Sequence, residues 1–173
     1  MSAHLKPPVN EKDHAEGTDT ASIVLVEYGD YQCPHCGAAY PVIKKIQKTF
    51  GSQVRFVFRN FPLSEIHPDA MAAAIATEAA ALQDKFWQMH DIIFENQELL
   101  GEEGLHKMAG SIGLDMKKFQ KDMQREDLQA KVEADFESGV RSGVNGTPSF
   151  FIDGNKFDGG ANDLFNMLRE NAS

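Results

Sequence analysis

The run Ile23-Val24-Leu25-Val26-Glu27-Tyr28 is β-branched and aromatic, nearly unbroken in its apolarity, and closed by Gly29-Asp30. A run of strand length between turn signals that does not alternate with polar residues is a buried strand. A helix follows. Pro34 suits its first turn, where a missing N–H donor costs nothing, and Val42, Ile43, Ile46 and Phe50 recur at helical spacing before Gly51. Pro41 lies inside this helix and is expected to kink it. Val54, Phe56 and Phe58 then alternate with Gln53, Arg55, Val57 and Arg59 as a second strand. A strand, a helix and a strand joined in this way make a right-handed parallel crossover, so the fold class is α/β.

The rest of the chain is arranged around that unit. Residues 1–20 are polar and carry Pro7-Pro8, which reads as an extended lead-in with a short strand over 5–9, confined by its prolines to a sheet edge. Between 63 and 139 the sequence turns to helix formers. Met71, Ala74, Ile75, Ala79 and Leu82 share one helical face, followed by Phe86, Met89 and Ile93 and then by Leu105, Met108 and Ile112. Gly101, Gly104, Gly110 and Gly113 divide this stretch into short helices, and 127–140 forms a longer one. It is an all-helical insertion in one α/β domain built from 21–62 and 140–173. Most of the seven methionines fall in it, where they serve as core filling. Strand character returns over 148–153 and again at Lys156-Phe157-Asp158, with Gly154-Asn155 as the hairpin turn. A last amphipathic helix carries Leu164, Phe165, Met167 and Leu168.

Composition narrows the function. A length of 173 residues with 42% hydrophobic residues supports one domain with a sizeable core. No apolar run approaches the roughly 18 residues of a bilayer span, so no membrane partner is expected. The balance of 17 Lys and Arg against 26 Asp and Glu gives a formal charge of -9. The largest basic groups are the pairs Lys44-Lys45 and Lys117-Lys118, so no nucleic-acid partner is expected. The start of the chain lacks the apolar stretch of roughly 7 to 15 residues that a secretory leader needs. That favours a cytoplasmic location, with a periplasmic one as the alternative if a leader has been removed.

Cys33 and Cys36 are the only cysteines. Two cannot form a multi-bridge framework, and a bridge between them closes too short a loop to stabilise a fold. Their place between strand and helix puts Cys33 at a helix N-terminus. Unpaired N–H groups and the helix dipole there favour the thiolate, as does His35 if protonated, and such surroundings lower a thiol pKa from about 8.5 to roughly 3.5–7.5. A thiolate attacks disulfides, and a low-pKa thiol also leaves readily. Cys33 is therefore expected to be exposed and to form the mixed disulfide, with Cys36, one turn into the helix, resolving it. A structural zinc site commonly takes four ligands, whereas one Cys-x-x-Cys supplies two and His4, His14, His67, His90 and His106 are scattered. No metal is expected. Two inert buried cysteines are the other alternative, but Pro-His at a helix start is a poor place to hide thiols.

With Cys33-Pro34-His35-Cys36 after the strand ending Val26-Glu27-Tyr28, and Gly146-Thr147-Pro148-Ser149-Phe150-Phe151-Ile152-Asp153-Gly154 downstream, the chain resembles the DsbA-like thiol-disulfide oxidoreductases of the thioredoxin superfamily. The helical stretch between the motifs matches the family's inserted domain. The lead-in with Pro8-Val9 and Asp13-His14 is similar to that of stand-alone and antiporter-fused members. The resemblance implies a thioredoxin fold with an inserted all-helical domain and no cofactor. It makes Cys33 the nucleophile, Cys36 the resolving thiol, Pro34-His35 the dipeptide of strongly oxidising members, and Pro148 the family's cis-proline, leaving the Thr147 backbone to pair with an extended substrate. From local sequence alone Pro148 would be an ordinary trans proline. Glu27 matches the family's buried acid, which relays a proton for Cys36; a strand-end glutamate facing water is the alternative. Arg59 is placed to pair with Glu27. Thr147 departs from the valine of the best-known periplasmic oxidases.

The expected activity is thiol-disulfide exchange with protein or peptide thiols and disulfides. Glutathione, a thioredoxin system or a membrane oxidase would serve as redox partner. A glutathione-linked reductase or isomerase of small substrates is a second class, disfavoured by Cys36. A redox-responsive peptide-binding module with its groove beside Pro148 is a third.

Overall fold

The structure, a computed structural model that describes residues 3–171, is built on a five-stranded mixed sheet. Its strands are β1 (His14–Glu16), β2 (Ile23–Gly29), β3 (Val54–Asn60), β4 (Ser149–Ile152) and β5 (Asn155–Phe157), in the order β1-β3-β2-β4-β5. β2 and β3 run parallel, pairing Leu25 with Phe56 and Glu27 with Phe58, and α1 (Pro34–Phe50) makes the crossover between them. The other pairings are antiparallel. Helix α1 continues through Pro41 to Phe50.

β2 carries no polar alternation because both faces of the sheet are covered. On one, Leu25, Phe56, Phe58 and Phe150 lie under Ile43, Ile46 and Phe50 of α1 and Leu164 and Phe165 of the C-terminal helix (Ala161–Asn171). On the other, Val26, Tyr28, Val57 and Phe151 pack with Leu5, Phe61 and Val144. Full burial of such side chains stabilises by about 1.5–3 kcal/mol each before entropy is set against it.

Five helices separate β3 from β4: α2 (Ala70–Ala81), α3 (Phe86–Phe94), α4 (Glu102–Ser111), α5 (Met116–Asp122) and α6 (Glu126–Arg141); the C-terminal helix is α7. α2 is not the one-faced helix expected from its pattern. Its alanines let it pass between α3, α4, α5 and α6, and Ala70 and every residue over 73–80 are buried. Leu82, expected on the buried face, is 41% exposed because it lies past the end of α2 where the chain turns at Asp84 (φ 61°). Gly104 and Gly110 lie within α4, whereas Gly101 caps it and Gly113 (φ 85°) ends the turn after it. Met89 and Met108 are core residues. Phe136 of α6 stacks on Phe61, ring centroids 4.2 Å apart, and closes the second face.

Two further expectations are corrected. The lead-in strand is His14–Glu16, not 5–9: Pro7 and Pro8 have no N–H to give a ladder, whereas His14, Ala15 and Glu16 pair with Phe58, Val57 and Phe56. Residues before the prolines reach the opposite edge, where Leu5 N donates to Gly154 O (2.8 Å) and Lys156 N to Ala3 O (2.9 Å). The hairpin turn is Asp153-Gly154, one residue earlier than expected. Both have positive φ (49° and 87°), as a tight hairpin turn demands, and Asn155 already belongs to β5. Among the described residues no helix is long and apolar enough to cross a membrane.

Candidate active site

β2 delivers the chain to Asp30, whose buried carboxylate organises the loop leading into α1. It accepts from Gln32 N (2.7 Å), Leu63 N (2.9 Å) and His67 Nδ1 (2.7 Å), while the Asp30 carbonyl accepts from Cys33 N (3.1 Å). These bonds fold the loop so that Cys33, in extended conformation, caps α1 and Pro34 enters at its first position. Tyr31 anchors the loop laterally through a 2.8 Å hydrogen bond between its hydroxyl and His90 Nδ1.

The two thiols are free and differ sharply. The Cys33 thiol is lowered from 9.0 to about 5, chiefly by a hydrogen bond from the Cys36 thiol; burial opposes this, and Thr147 and the backbone N–H groups of Cys36 and His35 reinforce it. The Cys36 thiol is pushed well up by burial, by its bond to Cys33 and by the charge of Glu27, although Asp30 N donates to its sulfur at 3.5 Å. One cysteine is thus held as a thiolate and the other as a thiol at neutral pH.

Cys33 is not exposed as expected. Only 4% of it reaches solvent, because the loop before β4 lies over it with Thr147 O 3.7 Å from Sγ. The carbonyl can accept from the thiol only. Thr147 Oγ1 is buried and has no hydrogen-bond partner among the described residues. The Thr147–Pro148 peptide bond is cis. His35 is exposed on the first turn of α1, and its backbone N–H helps to lower the Cys33 thiol.

Glu27 is 3% exposed, which removes the water-facing alternative. Burial raises its carboxyl from 4.5 to about 8, helped by the negative charge of Cys33, and Oε2 has no hydrogen-bond partner among the described residues. Arg59 does not pair with it. Tyr28, not Glu27, lies opposite Arg59, and the pleat turns Arg59 to the other face, where it binds Asp13 through Nε (2.8 Å) and Nη2 (2.9 Å). Asp30, Tyr31, His67 and His90 are absent from the sequence-derived site. Asp30 reads there as a turn residue, and no local signal links it to His67 or Tyr31 to His90. Among the described residues no three His, Cys, Asp or Glu side chains gather as metal ligands.

The family model described as Thioredoxin matches residues 9–166. The chain belongs to the thioredoxin family. A relative from Salinispora tropica, named Na(+)/H(+) antiporter NhaA 3, is 36% identical over 90% of this chain. The chain spans about a quarter of that relative's length (24%), so the antiport named for it belongs to that larger protein. A thioredoxin-like oxidoreductase from Silicibacter pomeroyi DSS-3 superposes with a TM-score of 0.82 at 25% identity, covering 93% of this chain and 92% of that one. The thiol-disulfide exchange protein alpha-DsbA2 from Wolbachia pipientis gives 0.80 at 20% identity, covering 93% and 88%. The thioredoxin fold with helices inserted between β3 and β4 is therefore shared with DsbA-like proteins over nearly the whole of this thioredoxin-family chain.

Proposed function

We propose that this chain is a thiol-disulfide oxidoreductase acting on protein or peptide substrates through Cys33 and Cys36. The observation that carries it is the split between a thiolate-forming Cys33 at the start of α1 and a sealed, protonated Cys36 one turn below. In the oxidising direction a client thiolate attacks Cys33 Sγ of the disulfide, and Cys36 leaves. A second client thiolate then attacks its own half of the mixed disulfide and Cys33 leaves as the thiolate. Two electrons pass from the client, whose thiols become a disulfide. Glu27, still largely protonated at neutral pH, supplies the proton Cys36 takes up and recovers it in the reverse direction. Thr147 and Pro148 form the wall along which an extended substrate backbone would lie.

A low Cys33 pKa stabilises the reduced form and so favours donation of the disulfide to clients. That direction suits an oxidising compartment, the alternative to the cytoplasm expected from sequence. The test is Cys33→Ser, assayed for insulin-disulfide reduction and for oxidation of a reduced client. Loss of both activities is expected; undiminished turnover would overturn the proposal.

A further inference from the structure

The carbonyls of Tyr31 and Cys33 are both taken by one side chain from the helical region. Gln97, opening the short 3-10 turn Gln97–Leu99 after α3, donates from Nε2 to Tyr31 O and to Cys33 O, each at 2.9 Å. Room for its amide comes from α1, where residue 37 has no side chain. A Cβ built on Gly37 would stand 2.6 Å from Gln97 Cδ and 3.0 Å from its Nε2, closer than nonbonded carbon tolerates. The same Cys33 carbonyl accepts from Gly37 N at 3.0 Å, closing the first turn of α1. That turn carries the backbone N–H groups of His35 and Cys36, which help to lower the Cys33 thiol. Among the described residues Gln97 makes no hydrogen bond to either sulfur, yet it bridges two carbonyls of residues 30–33 and rests on the glycine that completes the turn.

We propose that Gln97 is a positioning residue for thiol exchange, holding the 30–33 loop against the helical region so that the first turn of α1 keeps its N–H groups on the Cys33 sulfur. Gly37 is its counterpart, present because any side chain there displaces the Gln97 amide. The inference rests on Cys33 being the nucleophile. Each bond Gln97 makes contributes a modest net stabilisation, as intramolecular hydrogen bonds do. Its effect on exchange comes from alignment, because hydrogen-bond strength falls steeply as donors leave line.

The contact can be broken from either side. Gln97→Met keeps the side-chain length and removes the donors; Gly37→Ala leaves Gln97 chemically intact and pushes its amide away. Each single variant and the double variant are compared with wild type in three measurements: the Cys33 thiolate absorbance against pH, the equilibrium with reduced and oxidised glutathione, and thermal unfolding. Either single substitution is expected to raise the Cys33 titration midpoint and to lower the equilibrium constant for reduction of the Cys33–Cys36 disulfide by about three- to tenfold, tenfold being about 30 mV for a two-electron couple. The double variant is expected to go no further than the stronger single one, because both break one contact. Altered unfolding with an unchanged titration and equilibrium would overturn the proposal, as would full additivity of the two substitutions. In either case wild-type exchange would still stand. Absence of any equilibrium with glutathione in the wild type would instead defeat the reading of Cys33 itself.

Discussion

Glu27 and Arg59 stand on adjacent parallel strands, one register step apart, and face opposite sides of the sheet. Glu27 shares its face with the thiols. Arg59, 2% exposed, is neutralised by Asp13 and also donates to Tyr28 Oη (2.8 Å) and Pro8 O (3.3 Å). The lead-in is therefore pinned by a buried ion pair that has no part in the candidate site. Asp13→Ala leaves that guanidinium buried without its partner and should destabilise the fold by about 3–5 kcal/mol. Denaturant unfolding measures the loss, and the glutathione equilibrium of the folded variant should match wild type.

Glu27 gives a pH signature. Its folded pKa of about 8 exceeds its ordinary 4.5, so folding favours the protonated form. The stability associated with it is complete below pH 4.5 and is lost progressively as pH rises toward 8. Glu27→Gln cannot ionise and should be more stable than wild type by a few kcal/mol at about pH 8.5, yet nearly equal to it at about pH 4.5. Urea unfolding of the reduced proteins at the two pH values checks this; the same difference at both would contradict it.

Cys33 titrates in the opposite sense. Its folded pKa lies below the ordinary 9.0, so the thiolate stabilises the reduced native state above that value, and the stabilisation is lost as pH falls through about 5. The thiolate's ultraviolet absorbance should show a midpoint near 5. Cys36→Ala removes the largest contributor and should raise the midpoint by about one unit or more. A wild-type midpoint near 9 would contradict the assignment.

The cysteine pair is legible in the sequence because its determinants are local: a buried strand, two residues between the thiols, and Pro34 to start the helix. The crossover and the helical region are legible because hydrophobic period distinguishes strand from helix. The surroundings of the pair are not. Asp30 meets His67, in the loop before α2, from 37 residues away, and Tyr31 meets His90 of α3 from 59, contacts set by tertiary packing. The expected Glu27–Arg59 pair fails because charge and strand proximity do not fix which face a residue takes; the pleat does. Likewise, the exposure expected of Cys33 follows from its helix-start position, whereas its burial comes from Thr147, 114 residues later.

The reduction potential of the Cys33–Cys36 pair, measured against glutathione, tests the assigned chemistry most directly. A Cys33 pKa of about 5 lies between those of thioredoxin (about 7) and DsbA (about 3.5). The potential is accordingly predicted between thioredoxin's, about -270 mV, and DsbA's, about -120 mV. A value at or below about -270 mV, or no exchange with glutathione at all, would contradict it.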